Sequence, residues 1–103
     1  MDNEKLLIPP HDTSAEIAVL GSFMLDPQAP YKIADEISGE DFYHQAHKFV
    51  CNAILDLFAK HQPIDIISVS NLLNERKQLE IVGGMTALTS MINSVPTAAN
   101  ISN

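Results

Sequence analysis

His44 and His47 stand three residues apart, with Asp41 three residues before the first of them. Imidazole and carboxylate at such spacing are the residue types of a metal site or a general acid–base pair. Successive three-residue steps wind around a helix, however, so Asp41, His44 and His47 do not all face one ion. The reading with fewer demands makes them a cap and a buried hydrogen-bond donor, with no metal and no catalytic group. His11 and His61 lie beside prolines and read as loop residues. Gly83-Gly84 is followed by Met85 rather than by Gly-Lys-Ser/Thr, which makes it a turn and not a phosphate cradle. No nucleophile elbow and no paired thiols occur. Asp65, Glu16 and Glu75 each have a local reading as cap or solvated charge. Met24, Met85 and Met91 are adaptable apolar side chains. They read first as core fillers and second as a binding surface, with Met85, at a helix start, the one most readily exposed.

The elements that must carry these groups are helical. From Asp41 to Phe58 the apolar residues Ala46, Phe49, Val50, Ala53, Ile54, Leu57 and Phe58 recur at three- and four-residue steps. The stripe is broad enough for neighbours on both sides, so this helix belongs at the centre of a bundle, ending near His61 before Pro63. Upstream, Thr13-Ser14-Ala15-Glu16 matches a capping box. Ile17, Leu20, Gly21, Met24 and Leu25 follow at helical spacing, and Gly21 predicts close approach of another helix. A shorter helix is expected over Pro30–Ile37, with Tyr31, Ile33, Ala34 and Ile37 inward, then a short turn capped by Ser38. The stretch 63–70 has the β-branched content of a strand. Asp65 is nevertheless a good N-cap, and Ile66, Val69, Leu72 and Leu73 continue in helical register, so it reads as helix. Residues 77–82 are expected as a connector with an extended piece at Leu79-Glu80-Ile81. A last full helix runs from Met85 to about Ser94. Residues 1–12, with Leu6-Leu7-Ile8 before Pro9-Pro10, read as an extended arm or as a frayed terminus, and composition alone does not decide between them. The expected architecture is all-α: a compact bundle of about five to six helices over 13–96, with a helix beginning at 97–103 that continues in a longer protein.

Composition narrows the function. One hundred and three residues with 46% apolar content make one domain with a core of its own. The net charge of −7, with Arg76 and five lysines as the cations, offers no basic stripe for phosphates. DNA is therefore not expected to bind this domain directly; an acidic surface suits a protein partner. Cys51 is the single cysteine and falls on an apolar helix face, the mark of a small core residue in a reducing, cytoplasmic setting. No apolar run is long enough to span a bilayer.

Taken in order, Pro9-Pro10, Ala15-Glu16, Val19-Leu20-Gly21, Leu25-Asp26, Asp41-Phe42-Tyr43 with His47, Pro63-Ile64-Asp65, Gln78-Leu79-Glu80, Gly83-Gly84, Leu88 and Val95-Pro96-Thr97-Ala98-Ala99-Asn100 resemble the N-terminal domain of DnaB-type replicative DNA helicases. The resemblance runs from Pro9 to Asn103 and rests on the ordered set. It implies a non-catalytic collar that pairs with itself, as a trimer of dimers in a hexamer. It also implies recruitment of a DnaG-type primase and of a helicase loader, with the region Met85 to Met91, and in it Met85, Leu88 and Met91, as the candidate partner-binding residues. ATP, Mg2+ and DNA would be bound by a downstream RecA-like motor, and residues 97–103 would open a linker hairpin. Two positions depart from the family: Ile17 replaces a usual polar Gln, and Ala87 replaces an aromatic associated with primase contact. The competing reading is a free-standing helical adaptor without a motor.

Overall fold

The computed structural model describes residues 12–95 apart from Pro27. The expected arm, Asp12 excepted, and the expected linker start lie outside them. Among the described residues the fold is all-helical: α1 (Thr13–Leu25), α2 (Ala29–Ile33), α3 (Gln45–Ala59), α4 (Ile66–Glu75), α5 (Leu79–Val82) and α6 (Gly84–Asn93), with a 3-10 turn at Gly39–Asp41. The six-helix bundle agrees with the architecture read from the sequence.

α3 is the central element, packed against α1, α4, α5 and the 3-10 turn. Val50, Cys51, Ala53, Ile54 and Leu57 are buried along it at helical steps. The helix starts at Gln45 with His44 as its N-cap, so Asp41, Phe42 and Tyr43 precede it. Phe42 is buried all the same, carried into the core by extended backbone after the 3-10 turn. Ser38 opens that turn as expected; its N–H donates to Asp41 Oδ2 at 2.9 Å. Cys51 is fully buried, and desolvation, reinforced by the nearby Asp41 charge, pushes its thiol up to about 12.

α1 differs from its capping-box reading. Asp12, not Thr13, is the N-cap, its Oδ1 accepting from the Ala15 N–H at 3.0 Å. With Asp12 at that position, Glu16 lies one residue too far along to reach back, and it turns inward instead. The apolar pattern holds for Leu20 and Met24, but Phe23 is fully buried whereas Leu25 is 42% exposed. Neighbours on two sides of α1, α3 and α6, explain why Phe23 also finds a core position. Gly21 lets α6 in: a Cβ there would lie 2.6 Å from Val95 Cγ2 and 2.8 Å from the Met91 carbonyl carbon.

α2 ends at Ile33, four residues short of expectation. Ile37 still reaches the core, from the turn that follows. Tyr31, expected to face inward, is 70% exposed and meets the Phe58 ring edge-on at 5.1 Å and 73°. The stretch 63–70 is helical from Ile66, and Asp65 Oδ1 accepts from the Ser68 N–H at 2.8 Å. Leu79–Val82 is one helical turn rather than an extended piece, closed by the Val82 N–H to the Gln78 carbonyl at 3.1 Å. Four residues are too few to show a period, and burial of Val82 decides the conformation.

α3 and α4 end alike. The Gln62 N–H reaches the Leu57 carbonyl at 2.9 Å and the Gln78 N–H the Leu73 carbonyl at 2.8 Å, with His61 (φ 58°) and Lys77 (φ 61°) between. These are Schellman ends that use a non-glycine residue in the left-handed region. Exposed Lys77 carries that strain with no glycine to relieve it. Lys77→Gly is expected to stabilise the fold by about 0.5–1 kcal/mol, because relief in the folded state exceeds the added freedom of the unfolded chain. Urea titration would show a higher midpoint with an unchanged slope; an equal or lower midpoint would contradict the strain argument.

Candidate functional site

The groups singled out for chemistry gather where α1 and α3 begin. Glu16 is 1% exposed. Its Oε1 lies 2.6 Å from His47 Nδ1 and its Oε2 accepts from the Tyr43 N–H at 2.6 Å. The His44 N–H also donates to it. A carboxylate can only accept, so Nδ1 carries the His47 proton. Burial pushes the Glu16 carboxyl up, but the bonds from His47, Tyr43 and His44 together outweigh it and hold the group below its ordinary value. Thr13 Oγ1 and His44 Nε2 add a second tie at 2.7 Å. The start of α3 is thus capped by a carboxylate from α1, which satisfies donors that a helix otherwise leaves open and places negative charge at its positive end.

This cluster holds two helices together. The His44 and His47 rings meet edge-to-face at 5.2 Å, and each has a nitrogen engaged by α1. Asp41 lies in the 3-10 turn with a carboxylate oxygen bonded to Ser38. Among the described residues no three His, Cys, Asp or Glu side chains are grouped to hold a metal. Sequence reasoning treated Glu16 as a local cap and missed its role. The available signal was His47, which falls three and four residues before buried Val50 and Cys51 and so sits on the apolar stripe, where a ring nitrogen requires a partner.

The candidate partner-binding residues separate. Met85 is 40% exposed at the first turn of α6, whereas Leu88 and Met91 are buried in the core. Each three-residue step turns 60° short of a full helical revolution, so the three cannot share a face. Among the described residues, Ile81 on α5 and Ile67 on α4 are the other large apolar groups exposed on this half of the chain. Ala87 is half-buried, and Ile17 is half-buried against the core cluster. Gly83 (φ 105°) is the N-cap of α6 and Gly84 (φ 74°) its first residue. With Met85-Thr86-Ala87 next and no lysine, they do not fit a nucleotide phosphate. A second feature went unread in the sequence: an open groove of about 310 Å³ between Tyr31 and the α3–α4 connection, walled by Phe58, Pro63 and Ile64. Among the described residues no helix is long and apolar enough to cross a membrane.

Residues 8–103 match the family model described as "DnaB-like helicase N terminal domain". The chain is 42% identical over 94 residues to "Replicative DNA helicase DnaC" of Bacillus subtilis (strain 168), which covers 91% of this chain and 21% of that protein. It is 40% identical over 92 residues to "Replicative DNA helicase DnaB" of Mycobacterium leprae (strain TN), covering 89% of this chain and 15% of that one. The crystal structure of the N-terminal domain of DnaB helicase from Mycobacterium tuberculosis superposes with a TM-score of 0.81 at 40% identity, over 90% of this chain and 65% of the other. The chain therefore spans about a fifth or less of the length of these curated relatives.

Proposed function

The chain belongs to the family of DnaB-like helicase N-terminal domains, and on that footing we propose that it is the non-catalytic collar of a hexameric, ATP-dependent replicative DNA helicase. The observation that carries the reading is the family match across residues 8–103, nearly the whole chain. The collar pairs protomers into dimers, three of which complete the ring. It brings a DnaG-type primase and a helicase loader to the assembly in the cytoplasm. ATP and Mg2+ belong to a motor elsewhere in the parent protein, and DNA is engaged there. The net charge of −7 supports assigning DNA to the motor rather than to this acidic surface. Burial of exposed apolar side chains between protomers supplies roughly 25 cal/mol per Å² before the costs of association.

Reading the parent gene beyond codon 103 tests the proposal. A helical hairpin followed by Gly-x-x-x-x-Gly-Lys-Ser/Thr is expected; a stop codon near Asn103 would remove the motor and leave an adaptor. For primase, the region Met85–Met91 is the proposed contact. Met85 touches the partner, while Leu88 and Met91 hold α6 against the core. Met85→Glu is then expected to weaken primase capture by about tenfold, the cost of ~1.4 kcal/mol. Because Met85 is exposed, the melting temperature should barely move. Capture unchanged by this substitution would place the contact elsewhere.

A further inference from the structure

The groove beside Tyr31 has the chemistry of a receptor for an extended, proline-containing peptide. Tyr31 and Phe58 form a rigid edge-to-face pair along it, and Pro63 and Ile64 complete an apolar wall. Gln28 and Gln62 place neutral amide donors at its rim. Among the described residues no Lys, Arg, Asp or Glu lines it, and the lining they provide is neutral and apolar. Aromatic grooves of this kind hold polyproline-type segments, whose rings lie on aromatic faces and whose unpaired carbonyls accept from rim donors. His61 also lines the groove, in the left-handed conformation where glycine would be unstrained.

One segment of the chain has the matching chemistry: Leu6-Leu7-Ile8-Pro9-Pro10, which leads to Asp12 at the start of α1. Its two prolines, which match the aromatic pair, do not reach the chain's own groove. Thr13 touches His44 at the beginning of α3, and Phe58 lies fourteen residues further along, about 21 Å at 1.5 Å per residue. Pro9 is three residues from Asp12, at most about 11 Å of extended chain. We propose that residues 6–10 of one copy dock in the Tyr31–Phe58 groove of a second copy, and that the exchange is reciprocal. A two-fold pairing gives each protomer one arm and one groove, so every arm is used and the contact closes. The inference does not rest on the helicase reading, and it holds for a free-standing adaptor as well.

The test uses the full chain. Asn3→Cys, upstream of the apolar segment, accepts a nitroxide; Cys51 stays unlabelled because it is buried and its thiol is pushed to about 12. The spin-labelled, isotopically natural protein is mixed with 15N-labelled wild-type chain. The amide resonances of Tyr31, Phe58 and Ile64 are expected to broaden. Pro9→Ala with Pro10→Ala in the labelled arm, or Tyr31→Ala in the acceptor, should each raise the concentration needed for that broadening about tenfold. Tyr31 is largely exposed, so its loss leaves the fold in place for the measurement. Absence of broadening in the mixture, or broadening centred on other residues, would overturn the proposal.

Discussion

Glu16→Ala is expected to destabilise the domain by about 3 kcal/mol, because it leaves the His47 ring N–H and the Tyr43 and His44 N–H groups near the α3 start without their acceptor. At ~4 °C or more per kcal/mol for a domain of this size, the melting temperature should fall by ~12 °C. Glu16→Gln isolates the charge. It keeps the volume but offers one acceptor where three donors converge, and its loss should be somewhat smaller. The pH dependence separates the two effects. The folded-state pKa of Glu16 lies below its ordinary value of 4.5. Its contribution is therefore complete above that value and disappears as pH falls through the lower, folded value. Wild type and Glu16→Gln should differ most at neutral pH and converge on acidification below about pH 4.5. Melts across that range provide the measurement. A gap that stays constant would show that shape, not charge, carries the effect.

Gly21→Ala is the second large effect, and it runs against helix propensity. Alanine is better than glycine inside a helix by about 1 kcal/mol. The added Cβ would meet the Met91 carbonyl group and Val95 Cγ2 at distances no relaxed structure keeps. A backbone carbonyl cannot rotate away as a side chain can, so α6 must move as a body and open the core around Leu88 and Met91. A net cost of about 1–3 kcal/mol is expected, read as a lower urea midpoint. Gly21→Leu should prevent α1 and α6 from docking. An alanine variant at or above wild-type stability would show that α6 has room to shift.

The parts of the fold legible in the sequence were those fixed by local chemistry. α3 showed itself through a stripe of period 3.6, α4 through Asp65 and the register of Ile66, Val69 and Leu73, and the α1–α6 approach through a glycine in an apolar run. Periodicity finds an apolar face without saying which polar atoms a neighbour will bring to it. Glu16 therefore read as a local cap, although a helix 31 positions away in His47 was its partner. Tyr31 read as core because the α2 pattern was followed past its true end at Ile33. α5 has a single turn, below the length at which any pattern can speak. In α6 the helix start marked Met85 as the exposed methionine, and helical geometry turns it out while Leu88 and Met91 turn in.

The contact of Gly21 with Met91 and Val95 also bears on the moment of folding during synthesis. It joins positions about seventy residues apart, and α1 makes more of its long-range neighbours in α6 than in any other helix. Translation delivers α1 first and α6 last among the described helices. Until α6 has left the ribosome, the apolar flank of α1 around Leu20 and Gly21 has no intramolecular cover, and loop closure must await nearly the whole chain. A nascent chain paused before Met91 would hold that flank open to chaperones, and protease resistance should appear abruptly once Val95 has cleared the exit tunnel.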